Sequence, residues 1–216
     1  MLYQVIDTGN SRSFPAPHVL LEKCEAEGDA VIIIGEKVGQ ALQALALREQ
    51  KTAVLIELGT ESLAVHTGES RGNEGSNVLG FARFRLGESE PTALVEVVRQ
   101  PRSTDAAVAA AKEIFQGAGL RVAVCGDFDG RIIDRLVRPY FNAALKRLDE
   151  GLATADDLDT TLRLGLGYPE GPIALLERTG LAHHYDVTQA LFEAYSDPAY
   201  APARRARVAK LRADKA

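Results

Sequence analysis

Two kinds of periodicity divide this chain. Up to about residue 126, short β-branched and aliphatic runs alternate with helix-spaced ones. Tyr3-Gln4-Val5-Ile6 and Ala30-Val31-Ile32-Ile33-Ile34-Gly35 read as strands, the second apolar throughout and therefore buried on both faces. Between them, residues 17–27 have helical spacing and stop at Gly28. Residues 39–48, with Leu42, Leu45 and Leu47, read as a second helix and 52–58 as a third strand. The β-α-β-α-β order predicts a parallel sheet with covering helices. Residues 68–80, with Gly68, Gly72, Gly75 and Gly80, form a loop. Two more strands follow at 78–84 and 94–98. Thr104 then caps a helix to about Gln116, and 121–125 is the last strand.

After Gly126 the pattern is wholly helical. Ile132, Ile133, Leu136, Val137, Tyr140, Phe141, Ala144, Leu145 and Leu148 make one apolar face of a long helix that stops at Gly151. Pro139 inside it deletes a backbone hydrogen bond and predicts a kink. Thr154-Ala155-Asp156-Asp157 resembles a capping box, Pro172 opens a short helix, and Asp186 or Val187 opens another. The expected domains are therefore α/β over 1–127 and all-α over 128–216.

Composition narrows the function. The chain has 216 residues, 46% of them hydrophobic and 25% charged, an ordinary globular balance that needs no disulfide or metal staple. Its net charge of −5 argues against nucleic acid as a partner. The basic cluster Arg204, Arg205, Arg207, Lys210, Arg212 and Lys215 reads as a solvated helix end, with phosphate or partner binding as the other reading. No apolar run reaches the roughly 18–20 residues of a membrane span, and the first residues lack signal-peptide character. A membrane partner is not expected. Cys24 and Cys125, far apart and outside any motif, suit reduced thiols in a cytoplasmic protein.

Four stretches of the helical half carry a resemblance: Arg135-Leu136-Val137-Arg138-Pro139-Tyr140-Phe141-Asn142, Glu150-Gly151-Leu152-Ala153-Thr154, Leu164-Gly165-Leu166-Gly167-Tyr168-Pro169-Glu170-Gly171-Pro172, and Asp197-Pro198-Ala199-Tyr200. In this order they are similar to the C-terminal domain of the 3-hydroxyacyl-CoA dehydrogenases, NAD-dependent enzymes of fatty-acid β-oxidation. The similarity extends upstream through Leu94-Val95-Glu96-Val97-Val98. The first half looks like a reduced form of that family's Rossmann-like domain. The fold implied is a reduced Rossmann-like α/β domain followed by a helical domain of the 6-phosphogluconate-dehydrogenase C-terminal type.

Hydride transfer from a nicotinamide needs a pyrophosphate site, made of a Gly-rich turn and a helix N-terminus. No G-x-G-x-x-G or G-x-G-x-x-A occurs in the chain. Gly165-Leu166-Gly167 meets Glu170 at the third position, and residues 35–39 have the right strand-to-helix context with the wrong spacing. The chemistry also needs a base, and histidine suits it because its pKa lies near neutrality and a carboxylate can orient it. The family places that histidine in a stretch matched here by Gly80-Phe81-Ala82-Arg83-Phe84-Arg85-Leu86. The position falls on Ala82, or on Phe84 with a shifted gap, and neither accepts a proton. Glu96 matches the carboxylate that pairs with the histidine. Asp134 falls where the resemblance implies an asparagine near the substrate carbonyl, and it equally suits a helix N-terminal turn.

No other residue replaces the base in the sequence. His183 and His184 point in different directions on a helix, one of them toward a core. His66 and His18 fall on strand and loop positions without an acid or nucleophile at useful spacing, and no metal-ligand cluster is present. The expectation is a 3-hydroxyacyl-CoA dehydrogenase-family chain that binds no NAD by itself, with Glu96 and Asp134 as family positions out of use. It would act as a subunit, or as an assembly or acyl-CoA-binding module. Homodimerisation through the helical domain, a full-length dehydrogenase partner and acyl-CoA are the partners implied. The alternative is an active NAD-dependent 3-hydroxyacyl-CoA (3-hydroxybutyryl-CoA) dehydrogenase that uses a partner chain or a rebuilt site.

Overall fold

The structure is a computed structural model that describes residues 1–69 and 76–215. Residues 70–75 of the glycine-rich loop read at 68–80, with Gly72 and Gly75, therefore lie outside the described residues. Two compact units are present, Met1–Arg85 with Pro91–Arg131, and Leu86–Glu90 with Ile132–Ala216.

The first unit is a six-stranded sheet in the order β1 (Tyr3–Asp7), β2 (Ala30–Ile34), β3 (Ala53–Glu57), β4 (Val78–Arg83), β5 (Leu94–Arg99), β6 (Arg121–Gly126). β1 to β4 are mutually parallel and β5 is parallel to β6, but β4 and β5 are antiparallel. The parallel sheet predicted from the β-α-β-α-β order is present in β1 to β4, and the reversal between β4 and β5 is an addition to it. The connection from 84 to 93 contains no helix, and a parallel crossover needs a dozen or more residues. β2 and β3 are buried at every position, as their unbroken apolar runs require.

Alternate residues of each strand feed two cores. Ile32, Ile34, Leu55, Leu79 and Phe81 face α1 (Val19–Glu22) and α4 (Asp105–Gly117), through Leu20, Ala107, Ala111, Ile114 and Phe115. Val31, Ile33, Val54 and Ile56 face Val38 and Leu42 of α2 (Val38–Ala44) and Leu63, which precedes α3 (Ala64–Thr67). The strand order thus steps in one direction while α1 and α2 cover opposite faces, so their two crossovers have opposite hands. A doubly wound sheet keeps that arrangement when the strands on one side of its switch point are removed, as a reduced Rossmann-like domain requires.

Local reasons account for shortened elements. The helix read at 17–27 is only four residues long, because the Glu25 N–H bonds the carbonyl of Tyr3 instead of continuing the helix. The helix read at 39–48 ends at Ala44, and Leu47 turns left-handed, φ 53°, before a 3-10 turn at Arg48–Gln50.

The second unit packs α5 (Ile133–Asp149), α6 (Ala155–Leu166), α7 (Pro172–Thr179), α8 (Leu181–Tyr195) and α9 (Arg204–Ala213) around Phe141, Leu145, Ile173, Leu176, Ala203 and Ala206. Thr154 caps α6 by accepting the Asp157 N–H, and Pro172 opens α7 as read. α8 begins at Leu181, five residues before the predicted start. α5 runs on through Pro139. The Arg135 carbonyl that the proline leaves without an N–H partner accepts the Tyr200 hydroxyl at 3.3 Å.

One expectation for α5 fails in an informative way. Leu136 is exposed, and the buried stripe is Asp134, Arg138, Phe141, Asn142 and Leu145. Three of those five are polar, so the inner face of this helix is not the apolar face the pattern suggests.

Candidate functional site

The antiparallel register of β4 and β5 sets Ala82 directly opposite Glu96. Phe84 lies beyond the end of β4, so Ala82 is the position across from the carboxylate. Glu96 is buried in the middle of β5. Its neighbour is a guanidinium: Arg131 Nε lies 3.6 Å from Glu96 Oε2, with only 6% of the arginine side chain exposed.

A tightly held loop delivers that arginine. Asp127 accepts the Leu63 and Ala64 N–H groups and the Gln100 side-chain amide, and Asp129 accepts the Ser62 N–H. Gly130 donates to the Thr60 carbonyl. Arg131 itself sits in the left-handed region, φ 53°, a costly conformation for a residue with a Cβ. Its Nε and Nη1 are buried without a hydrogen-bond partner. Beside it, burial and then the charge of Glu96 push the Cys125 thiol up to about 11, so it carries no thiolate at neutral pH.

The carboxyl ends of β1, β2 and β3 enclose a cleft of about 260 Å³, lined by residues that include Asn10, Arg12, Glu36, Glu57, Glu61 and His66. At its floor the buried Glu57 carboxylate accepts the Ser13 N–H at 2.6 Å and the Gly35 N–H at 2.7 Å. Gly35 is required there. Its φ is +100°, and a Cβ would stand 2.3 Å from the Gly9 carbonyl oxygen.

His66 Nε2 lies 3.4 Å from Glu61 Oε1 in the same cleft. Burial pushes the Glu61 carboxyl up, but hydrogen bonds from His66 and from the backbone N–H groups of Glu61 and Gly59 outweigh it and hold it below its ordinary range. This corrects the reading of His66. It sits on the short α3 with an acid in reach, and only the turn 58–63 brings the two together.

The helical unit holds a different polar assembly. Arg138 Nε donates to Asp134 Oδ1 at 2.7 Å and Arg138 Nη1 to His184 Nδ1 at 3.1 Å. His184 Nε2 donates to Asn142 Oδ1 at 3.0 Å, and Asn142 Nδ2 donates to the Thr188 hydroxyl and the Ala199 carbonyl. Thr188 closes the chain on the Tyr200 carbonyl. Asp134 lies in the first turn of α5, the position one of its two readings gave it, and its side chain holds Arg138. Burial and then the Arg138 charge drive the His184 imidazole down to about 3, so it is neutral. His184 is the histidine that faces the core, while His183 is partly exposed, 3.7 Å from Glu88.

Gly167 caps α6 with φ +70° and Gly171 lets α6 approach α7, since a Cβ there would lie 2.1 Å from Asp159. Asp159 in turn accepts the Ile173 and Ala174 N–H groups at the start of α7. The stretch from Gly165 to Pro172 is thus a helix-to-helix corner, without nucleotide-binding geometry. Among the described residues, no group of three or more His, Cys, Asp or Glu side chains could hold a metal ion, and no helix is long and apolar enough to cross a membrane.

Residues 130–214 match the family model described as 3-hydroxyacyl-CoA dehydrogenase, C-terminal domain. These residues belong to the 3-hydroxyacyl-CoA dehydrogenase family. It is 35% identical over 109 residues to a 3-hydroxybutyryl-CoA dehydrogenase of Bradyrhizobium diazoefficiens, covering 50% of this chain and 37% of that protein. With a 3-hydroxybutyryl-CoA dehydrogenase of Mycobacterium tuberculosis it shares 32% identity over 145 residues, 66% of this chain and 50% of the relative. The chain thus spans half or less of the length of these curated relatives. Among solved structures, (S)-3-hydroxybutyryl-CoA dehydrogenase from Ralstonia eutropha superposes with a TM-score of 0.69 at 25% identity, over 83% of this chain and 64% of that one.

Proposed function

We propose that this chain serves a 3-hydroxyacyl-CoA dehydrogenase system as a subunit or as an assembly or acyl-CoA-binding module, and does not itself carry out hydride transfer. One observation carries the reading. The carboxylate matched to the family's acid–base pair faces Ala82 across the sheet and has the Arg131 guanidinium beside it. A guanidinium stays protonated at any pH a protein meets, so Arg131 cannot stand in for the histidine and pass a proton to and from a hydroxyl.

The carboxyl ends of the strands support the same reading. A pyrophosphate needs free backbone N–H groups and positive potential. Here the Ser13 and Gly35 N–H groups are committed to Glu57, and Glu36 and Glu61 line the same cleft. At about 260 Å³ the cleft lies below the range of about 300–1,000 Å³ that holds drug-sized ligands. These residues do not fit a dinucleotide. Homodimerisation through the helical unit, a full-length dehydrogenase partner and a cytoplasmic location complete the proposal, on the strength of the family resemblance.

The test is titration of NADH with the purified chain, read by nicotinamide fluorescence, together with capture of the tagged chain from its own cells. The expected result is no fluorescence change at micromolar protein, and co-purification of a full-length dehydrogenase. Saturable NADH binding by the chain alone would overturn the reading. A second reading, a rebuilt dehydrogenase site, is favoured by the His66–Glu61 pair in the cleft. It predicts NADH binding that His66→Gln abolishes.

A further inference from the structure

The basic residues of α9 fall into two sets. Arg205 pairs with Asp149 at 3.1 Å, and Lys210 pairs with Asp186 and Asp214 at 3.2 and 3.0 Å. These cations are used to fasten the helix to its own unit, while Ala203 and Ala206 pack into the core. The second set is Arg204, Arg207, Arg212 and Lys215, all exposed, and among the described residues none of them has a carboxylate within 4 Å. Spacings of three, four and eight along the helix put Arg204, Arg207 and Arg212 on one face, with Val208 and Leu211 between them, and Lys215 follows just past the helix end. Those two apolar side chains are 41% and 51% exposed. The face therefore runs cation, cation, apolar, apolar, cation.

The charge is local. The chain as a whole carries −5, yet its residues 204–216 hold six basic side chains against one acidic. At physiological salt the Debye length is about 8 Å, so a surface touching α9 meets the cations and is largely screened from the acidic remainder.

A second copy does not suit this face. Two-fold pairing would bring the same four cations against one another, and head-to-tail pairing would leave an open chain. A ten-residue helix already packed on its inner side presents a convex outer face, and no residue of α9 lines the cleft at the strand ends or the hollow between α6 and α7. A deformable anionic layer accepts such a face. Headgroup phosphates meet the flanking cations, and Val208 and Leu211 enter the acyl boundary.

We infer that the outer face of α9 docks reversibly on an anionic lipid surface. The absence of a spanning segment, which led to the expectation of no membrane partner, does not bear on this mode, because nothing crosses the bilayer. The inference is independent of the function proposed above.

Co-sedimentation of the full chain with vesicles tests it. With one quarter phosphatidylglycerol in phosphatidylcholine at 100 mM salt, binding is expected to exceed that to pure phosphatidylcholine at least tenfold, and to fall at least tenfold at 500 mM. Arg207→Gln with Arg212→Gln lowers binding about tenfold or more. Val208→Ser with Leu211→Ser lowers it about threefold. Circular dichroism of both variants checks that α9 and the fold persist. Equal binding to neutral and anionic vesicles, no binding to either, or no effect of the arginine pair overturns the inference. Tighter binding of polyglutamate or single-stranded RNA than of the vesicles also overturns it, and names an acidic protein or a nucleic acid instead.

Discussion

Two buried carboxylates in this chain each stand beside an arginine, and the two pairs are built to different standards. In the helical unit, Asp134 holds Arg138 at 2.7 Å, and Arg138 passes the contact on through His184, Asn142 and Thr188 to the backbone of the 198–200 turn. In the α/β unit, Glu96 and Arg131 lie 3.6 Å apart, the arginine backbone is left-handed, and two guanidinium nitrogens have no acceptor. The first assembly ties α5 to α8 and the turn after it. The second sets a buried carboxylate opposite Ala82 and beside a cation delivered by the 127–131 loop. A sequence match marks both carboxylates equally. Only the geometry shows that one stands beside an arginine engaged in a closed network and the other beside an arginine with two nitrogens left over.

The largest expected effect follows from breaking the closed network. Arg138→Met strands a buried aspartate and removes a donor from His184, and should cost about 3–5 kcal/mol in urea unfolding. Arg131→Met should cost less, about 1–2 kcal/mol, because its hydrogen bonds are incomplete already. Replacing both partners sharpens the contrast. Glu96→Gln with Arg131→Met should return stability to within about 1 kcal/mol of the native chain, whereas Asp134→Asn with Arg138→Met should not, because His184 still loses its donor. Equal costs in the two units would erase the distinction.

The pH dependence of stability separates the units further. His184 is held down to about 3 when folded, against about 6.5 in an unfolded chain. Its contribution is complete above pH 6.5. As pH falls below that, the unfolded chain takes up a proton the folded chain refuses, and stability drains away toward pH 3 at up to about 1.4 kcal/mol per unit. His184→Gln should flatten this slope between pH 6 and 4.5. An unchanged slope would mean that the network does not hold the imidazole neutral. The smallest effect is expected at the cleft of the α/β unit, where His66→Gln should shift stability by no more than about 0.5 kcal/mol.

Much of the fold was legible because it rests on unbroken local signals. The run Ile32-Ile33-Ile34 can only be a strand buried on both faces, and Thr104, Thr154 and Pro172 each mark a helix start by a mechanism confined to one turn. The departures have tertiary causes. The helix after Pro17 is cut short by a carbonyl of Tyr3, fourteen or more residues away, and the reversal between β4 and β5 shows only in the lack of a helix in 84–93. On α5 the polar side chains Asp134, Arg138 and Asn142 lie inward and Leu136 outward, since they satisfy one another across two helices. Arg131 escaped notice for the same reason: a positive φ in a non-glycine residue leaves no mark in the sequence. The pairing of Glu61 with His66 needed the turn between them, although acid and imidazole only five positions apart were a signal that could have been weighed.

The most direct test of the central claim is turnover of NADH with acetoacetyl-CoA by the purified chain alone. The account predicts a rate no higher than that of a boiled control at micromolar protein, because Glu96 faces Ala82 and Arg131 where an acid–base pair would stand. A clear rate above the control, lost on His66→Gln, would contradict it and place the working base in the cleft at the ends of β1 to β3.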